Sequence, residues 1–161
     1  MSYLPVPVTD DRAQTLLTEY FGYRNATFPV ADGYVIHLPE PATFTMPHGE
    51  FLLALDETGE AIGCGGIRRL ADDVLGDPGS GPVWEVKHLW VRDAGRGKGT
   101  GRALLAELER RAVALGARAV VLDTNASLVA ANGLYASSGY TSIPPYNDNA
   151  NATTWYRKDV A

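Results

Sequence analysis

The segment Arg96-Gly97-Lys98-Gly99-Thr100-Gly101 is composed to hold an anion. Alternating glycines let the backbone bend tightly and aim its N–H groups at one point at a helix start, where the helix dipole also favours negative charge. Arg96, Lys98 and Arg102 add full positive charges around that point, so backbone donors and cations converge on a group such as a diphosphate. Two familiar phosphate loops do not fit the letters. A Walker A loop needs Ser or Thr after Gly-Lys and a glycine five positions earlier; here Gly97-Lys98 is followed by Gly99, and Arg92 holds the earlier position. The dinucleotide pattern Gly-x-Gly-x-x-Gly fails as well, because Gly95 and Gly97 lead to Thr100, and Gly97 and Gly99 lead to Arg102.

The loop needs a strand before it and a helix after it. Trp84-Glu85-Val86-Lys87-His88-Leu89-Trp90-Val91 reads as the strand, and Leu104, Leu105, Leu108, Ala112 and Leu115 form one stripe of a helix over about 101–115, with Gly116 as its C-terminal cap. Ala119-Val120-Val121-Leu122 is a continuous apolar run ending in Asp123, as expected of a strand buried on both faces beside a parallel neighbour, which makes a right-handed crossover. Asn125 or Ser127 then caps a helix carrying Leu128, Ala131, Leu134 and Tyr135, ended by Gly139, and strands at 140–143 and 153–158 close the chain around the polar loop 147–152. Upstream, Thr9-Asp10-Asp11 starts a helix with Ala13, Leu16, Leu17, Tyr20 and Phe21 on one face. Residues 51–55 and 61–69 read as a hairpin about Asp56-Glu57-Thr58-Gly59-Glu60, and 72–82 as a turn-rich loop. Residues 25–48 show no sustained period and are expected to be irregular, with one short helix or strand near Tyr34-His37; so long a connection is often functional.

Taken together, Arg-x-x-Gly-x-Gly over Arg96–Gly101 and Leu134-Tyr135-Ala136-Ser137-Ser138-Gly139-Tyr140 resemble the acyl-CoA loop and the late Leu-Tyr-x-x-x-Gly-Phe/Tyr element of the GNAT superfamily of N-acetyltransferases. The resemblance covers about residues 51–158; residues 85–91, 122–124 and 143–146 are similar to a bacterial subgroup. It implies an α/β fold: a central mixed, mostly antiparallel sheet with a parallel strand pair at the acyl-CoA cleft, flanked by helices. It also implies acetyl-CoA as co-substrate, held by Leu89, Trp90, Val91, Arg96, Gly97, Lys98, Gly99, Thr100, Gly101, Arg102 and Ala131, and an amine of a small molecule or peptide as acceptor.

Acetyl transfer to an amine needs a base for the ammonium, a polarised thioester carbonyl and a proton for the leaving thiolate. The resemblance assigns the base to Glu85, acting directly or through water, and the acid to Tyr135, and it pairs the backbone at 89–91 with the pantetheine arm. Strand alternation puts Glu85 and Lys87 on the side of Leu89 and Val91, and turns the rival base His88 to the other side, where a packed histidine is the commoner outcome. Many relatives carry an asparagine where this chain has Leu128; either Asn125 replaces it or that contact is absent. Cys64 has no neighbour that would activate it and is read as core.

With 161 residues the chain is expected to form one domain spanning 1–161. Its net charge of −5 argues against a nucleic-acid partner, and one cysteine excludes an internal disulfide and a multi-thiolate metal site. Lacking a signal-like start and any long apolar run, it reads as a cytoplasmic protein with no membrane partner and no metal; a homodimer stays open. The competing function is a catalytically silent acyl-CoA-binding regulatory module, which would keep the glycine loop and dispense with Glu85 and Tyr135.

Overall fold

The computed structural model describes residues 1–77, 79 and 81–160. Pro78 and Ser80, in the stretch read as a turn-rich loop, lie outside the described residues. The elements run β1 (Ser2–Pro5), α1 (Asp11–Thr27), β2 (Gly49–Leu55), β3 (Ala61–Arg69), β4 (Val83–Val91), α2 (Thr100–Ala114), β5 (Ala119–Thr124), α3 (Val129–Ser137), β6 (Thr141–Ile143) and β7 (Thr154–Asp159). They build one seven-stranded sheet in the order β1-β2-β3-β4-β5-β7-β6. Among the described residues only β4 and β5 run parallel; the other neighbours are antiparallel, so the sheet has the mixed form that the resemblance implied.

Helices cover both faces. On one, Leu104, Leu105, Leu108 and Ala112 of α2 press on Leu52, Ile67, Trp84, Val86, Val120 and Leu122; removing each leucine from water contributes about 1.5–3 kcal/mol. On the other, Ala13, Leu16, Leu17 and Phe21 of α1 pack on Phe51, Leu53 and Cys64. The α1 helix is capped by the Asp10 carboxylate, which accepts from the Arg12 N–H at 2.9 Å. It runs three residues into the stretch expected to be irregular. Residues 34–37 form neither helix nor strand, and a 3-10 turn at Pro41–Phe44 is the regular piece before β2. The α2 helix ends as expected: Gly116 has φ +88, its N–H reaches the Val113 carbonyl, and the Ala117 N–H reaches that of Ala112. The N-terminal strand β1 was not anticipated. No helix is long and apolar enough to cross a membrane, among the described residues.

Strand β4 contains the irregularity on which the site depends. Lys87 pairs with Gly66 and Trp90 with Cys64, so His88 and Leu89 together oppose Gly65 alone, and His88 takes φ +57. This bulge reverses the alternation expected from sequence. Before it, Trp84 and Val86 face α2 while Glu85 lies opposite; after it, Leu89 and Val91 face α2, and His88 and Trp90 lie on the α1 side with Glu85. Pairing of β4 with β5 is confined to Val83–Glu85, and past Glu85 the two strands have no ladder between them.

Candidate active site

Where β4 and β5 part, a cleft of about 1220 Å³ opens between α1, the glycine loop, α3 and the connections 34–44 and 147–151. That exceeds the roughly 300–1,000 Å³ of an ordinary ligand pocket. It has room for two reactants.

One end is a donor cradle. The N–H groups of residues 97–102 have no acceptor among the described residues, and the first bond of α2 is Ala103 N–H to the Gly99 carbonyl. Gly97 and Gly99 adopt φ +73 and +78, which side chains disfavour, and nothing lies within 4 Å of a Cβ at either. Side-chain packing therefore does not demand these glycines; their left-handed backbone does. Arg102 spans to α3, its Nη2 donating to Ser137 Oγ at 2.7 Å and its Nη1 to Ser138 Oγ at 3.2 Å. Arg96 turns away from the cradle: its Nε donates to the Val91 carbonyl, and the guanidinium lies 4.7 Å from the Trp90 ring centre and 5.4 Å from that of Tyr23. Its side chain braces the loop, leaving the cradle to the backbone. Lys98 is exposed and does not line the cleft.

The α3 helix supplies the opposite wall. Gly139, at φ +92, ends it so that the Tyr140 N–H returns to the Tyr135 carbonyl and the two rings meet at 6.1 Å between centroids. That turn fixes Tyr135, which is buried but lines the cleft, and whose hydroxyl makes no hydrogen bond among the described residues. Burial pushes its pKa well above the usual tyrosine range. Leu89, Trp90, Val91, Thr100, Gly101 and Ala131 also line the cleft. Asn125 does not: its amide donates to the Asn151 carbonyl and its oxygen accepts from the Ser127 N–H, so it shapes the turn before α3, whose own first residue has no side-chain cap.

Glu85 does not reach the cleft either. It is fully buried; one oxygen accepts from Arg68 Nε at 2.7 Å and the other from the Tyr146 hydroxyl at 2.6 Å, with Lys87 Nζ at 3.8 Å. Direct contact with an amine is closed to it, and any proton must arrive through another group or water. Asp123 does line the cleft, as do Glu40 and Asp148; it accepts from Lys87 Nζ at 2.9 Å and from Asn147 Nδ2 at 2.7 Å. Burial raises its pKa, but Lys87 and the amide donors outweigh that and hold it below the ordinary value. His88 packs among Tyr20, Phe21 and Phe44, and burial drops its pKa to about 3, so it is neutral and a poor proton acceptor at neutral pH. Burial likewise pushes the Cys64 thiol far up. Sequence reasoning noticed Asp123 only as a strand end; its signal was a charge closing an otherwise apolar buried strand. It missed Arg24, a cation on the inward stripe of α1, four residues after Tyr20.

The segment 25–48 reaches the cleft through Tyr34, His37, Leu38, Pro39, Glu40, Thr43 and Phe44. It is tied down by Asn151, whose amide oxygen accepts from the Val35 N–H at 3.0 Å and whose Nδ2 donates to the Val35 carbonyl at 2.6 Å.

Comparison with known proteins agrees with this geometry. An uncharacterised N-acetyltransferase of Schizosaccharomyces pombe is 39% identical over 103 residues, 64% of this chain, and the alignment spans 58% of that protein's length. An IAA acetyltransferase of Azospirillum brasilense is 30% identical over 136 residues, covering 84% of this chain and 81% of that one. A GNAT-family acetyltransferase of Staphylococcus aureus Mu50 superposes over 98% of this chain and 99% of its own with a TM-score of 0.73 at 15% identity, a likeness of fold. Residues 11–140 match the profile of the Acetyltransferase (GNAT) family, and the chain belongs to that family of acyltransferases.

Proposed function

We propose that the protein moves an acetyl group from acetyl-CoA to a primary amine of a small molecule or peptide by direct transfer. The observation that carries this reading is the pairing, in one cleft, of the unpartnered N–H groups of residues 97–102 with the unbonded Tyr135 hydroxyl across from the open edge of β4. The loop would hold the pyrophosphate, and the backbone of Leu89–Val91 would pair with the pantetheine arm and polarise the carbonyl. When bound, acetyl-CoA supplies the activated acyl carbon. The amine nitrogen forms the new C–N bond as the C–S bond breaks.

Two protons must be handled. The acceptor's ammonium proton leaves through water toward the group Asp123, Lys87 and Glu85, in which Asp123 faces the cleft and Glu85 stands behind it. Tyr135 donates a hydrogen bond to the departing thiolate. A tyrosine whose pKa is raised above ~10 is a weaker acid than a thiol of about 8.5, so it stabilises the thiolate and solvent completes the protonation. The test is release of free thiol from acetyl-CoA in the presence of an amine panel. Acetyl-CoA binding without thiol release from any acceptor would overturn the catalytic reading.

A further inference from the structure

Cations in the cleft wall are almost all committed. Arg68 is paired with Glu85, Lys87 with Asp123, and Arg96 with Asp93, while Arg102 is tied to Ser137 and Ser138. Arg24 is different. It is 8% exposed and lines the cleft, yet it has no carboxylate partner among the described residues. One Nη donates to the Tyr20 hydroxyl at 3.1 Å, and the guanidinium lies 5.9 Å from the Tyr20 ring centre and 5.1 Å from that of Tyr34. Burial pushes the Tyr34 pKa up, so that ring offers a face and a hydroxyl but no anion. A guanidinium has five N–H donors, and burying it without a counter-charge is unfavourable. The site is incomplete on its own.

We propose that Arg24 binds the carboxylate of the acceptor, and that the acceptor is an amino acid with an aromatic side chain. The proposal rests on the acetyl-transfer reading and specifies its substrate class. Three observations support it. The planar fork of arginine matches a carboxylate in two parallel hydrogen bonds, and stacking between Tyr20 and Tyr34 presets its orientation. Tyr20, its hydrogen-bond partner, has ring centroids 5.3 Å from Phe21 and 5.8 Å from His88, and Phe44 lies 5.7 Å from His88, so the lining that continues from Arg24 includes an aromatic cluster suited to a ring. Arg24 and Tyr135 also line the same cleft, so the anchor and the hydroxyl proposed to meet the thiolate share one cavity. Phosphates of the cofactor are the other source of an anion, but the donor cradle for them belongs to the loop at residues 97–102.

Isothermal titration of the CoA-loaded protein with N-acetyl-L-phenylalanine and with its primary amide tests this without turnover. The acid should bind about ten- to a hundredfold tighter than the amide, as expected for a charge-assisted pair. Arg24→Gln should bring the acid down to the amide's affinity, Arg24→Lys should keep part of the preference, and CoA affinity should hold in both. Equal affinities for the wild type, or no binding of the acid in the millimolar range, would overturn the proposal whether or not the variants fold. So would a loss of CoA affinity in a folded Arg24→Gln, which would assign the cation to the cofactor. If the acid is preferred but no acceptor releases thiol, the carboxylate site stands and the acetyl-transfer reading falls.

Discussion

Gly59 and Gly99 form a matched pair. Both have positive φ, +85 and +78, and neither has an atom within 4 Å of the place a Cβ would occupy. One turns the hairpin between β2 and β3, and the other starts α2 at the cleft. Alanine at either position takes a left-handed backbone at roughly 1–2 kcal/mol. For a chain of this length that is a fall of about 2–8 °C in Tm, alike for the two variants. Acetyl-CoA at a hundred times its Kd adds about 2.7 kcal/mol to the wild type, or a rise of about 5–11 °C. Gly59→Ala should keep that rise. If the loop holds the pyrophosphate as proposed, the new methyl group of Gly99→Ala would stand in its way; a hundredfold loss of affinity would leave about 0.4 kcal/mol, a rise of about 1 °C. Scanning fluorimetry of the three proteins, with acetyl-CoA, ATP and NAD in separate arms, reads all of this. A full acetyl-CoA rise in Gly99→Ala, or equal rises with ATP, would refute the assignment of the loop.

Asp123→Asn should lower turnover by about 10²-fold near neutral pH and recover in part in alkali, where the amine is already neutral; Glu85→Gln, one layer behind, should follow the same course with a smaller loss. Equal, pH-independent losses in initial-rate assays would place the proton path elsewhere. Tyr135→Phe should lower turnover by about tenfold or more with no alkaline recovery and an unchanged thermal response to acetyl-CoA. His88 is held neutral to about pH 3, whereas an unfolded histidine takes a proton near 6.5. As pH falls through that window the unfolded chain gains a proton that the folded one refuses, so stability should decline. In a plot of Tm against pH, His88→Asn, which tolerates positive φ, should flatten that decline; parallel curves would contradict it. Cys64, fully buried, should resist a thiol reagent until the chain unfolds.

Much of the framework was legible because it is written in local chemistry. The α2 stripe, the Gly116 and Gly139 ends, the hairpin and the buried β5 run each follow from periodicity or turn residues a few positions apart. The glycine-rich turn that opens α2 was legible for the same reason. The inner wall of the cleft was not. Alternation along β4 predicted the wrong side for Leu89, Val91 and His88, because a bulge depends on what the partner strand offers, and Gly65 leaves that space only after β3 and β4 have paired. Glu85 looked like a free carboxylate because Arg68 and Tyr146, which occupy it, are 17 and 61 residues away. The segment 25–48 has no period because Asn151, 116 residues on, holds Val35 through both its peptide groups.

The left-handed turn at His88 divides β4 into two strands with separate duties. From Val83 to Lys87 the strand answers to the sheet, with ladders on both sides at Trp84 and Glu85 and side chains committed to the core or to ion pairs. From His88 to Val91 only one edge is paired, and the chain is there for whatever enters the cleft. Substitutions in the first half should therefore be felt as melting temperature, and those in the second as affinity. Deleting His88 would do something neither class of substitution can: it would take out the extra residue, leave Trp90 opposite Cys64 and Val91 opposite Gly63, and let β4 continue along β5 as one regular strand, zipping shut the opening between them.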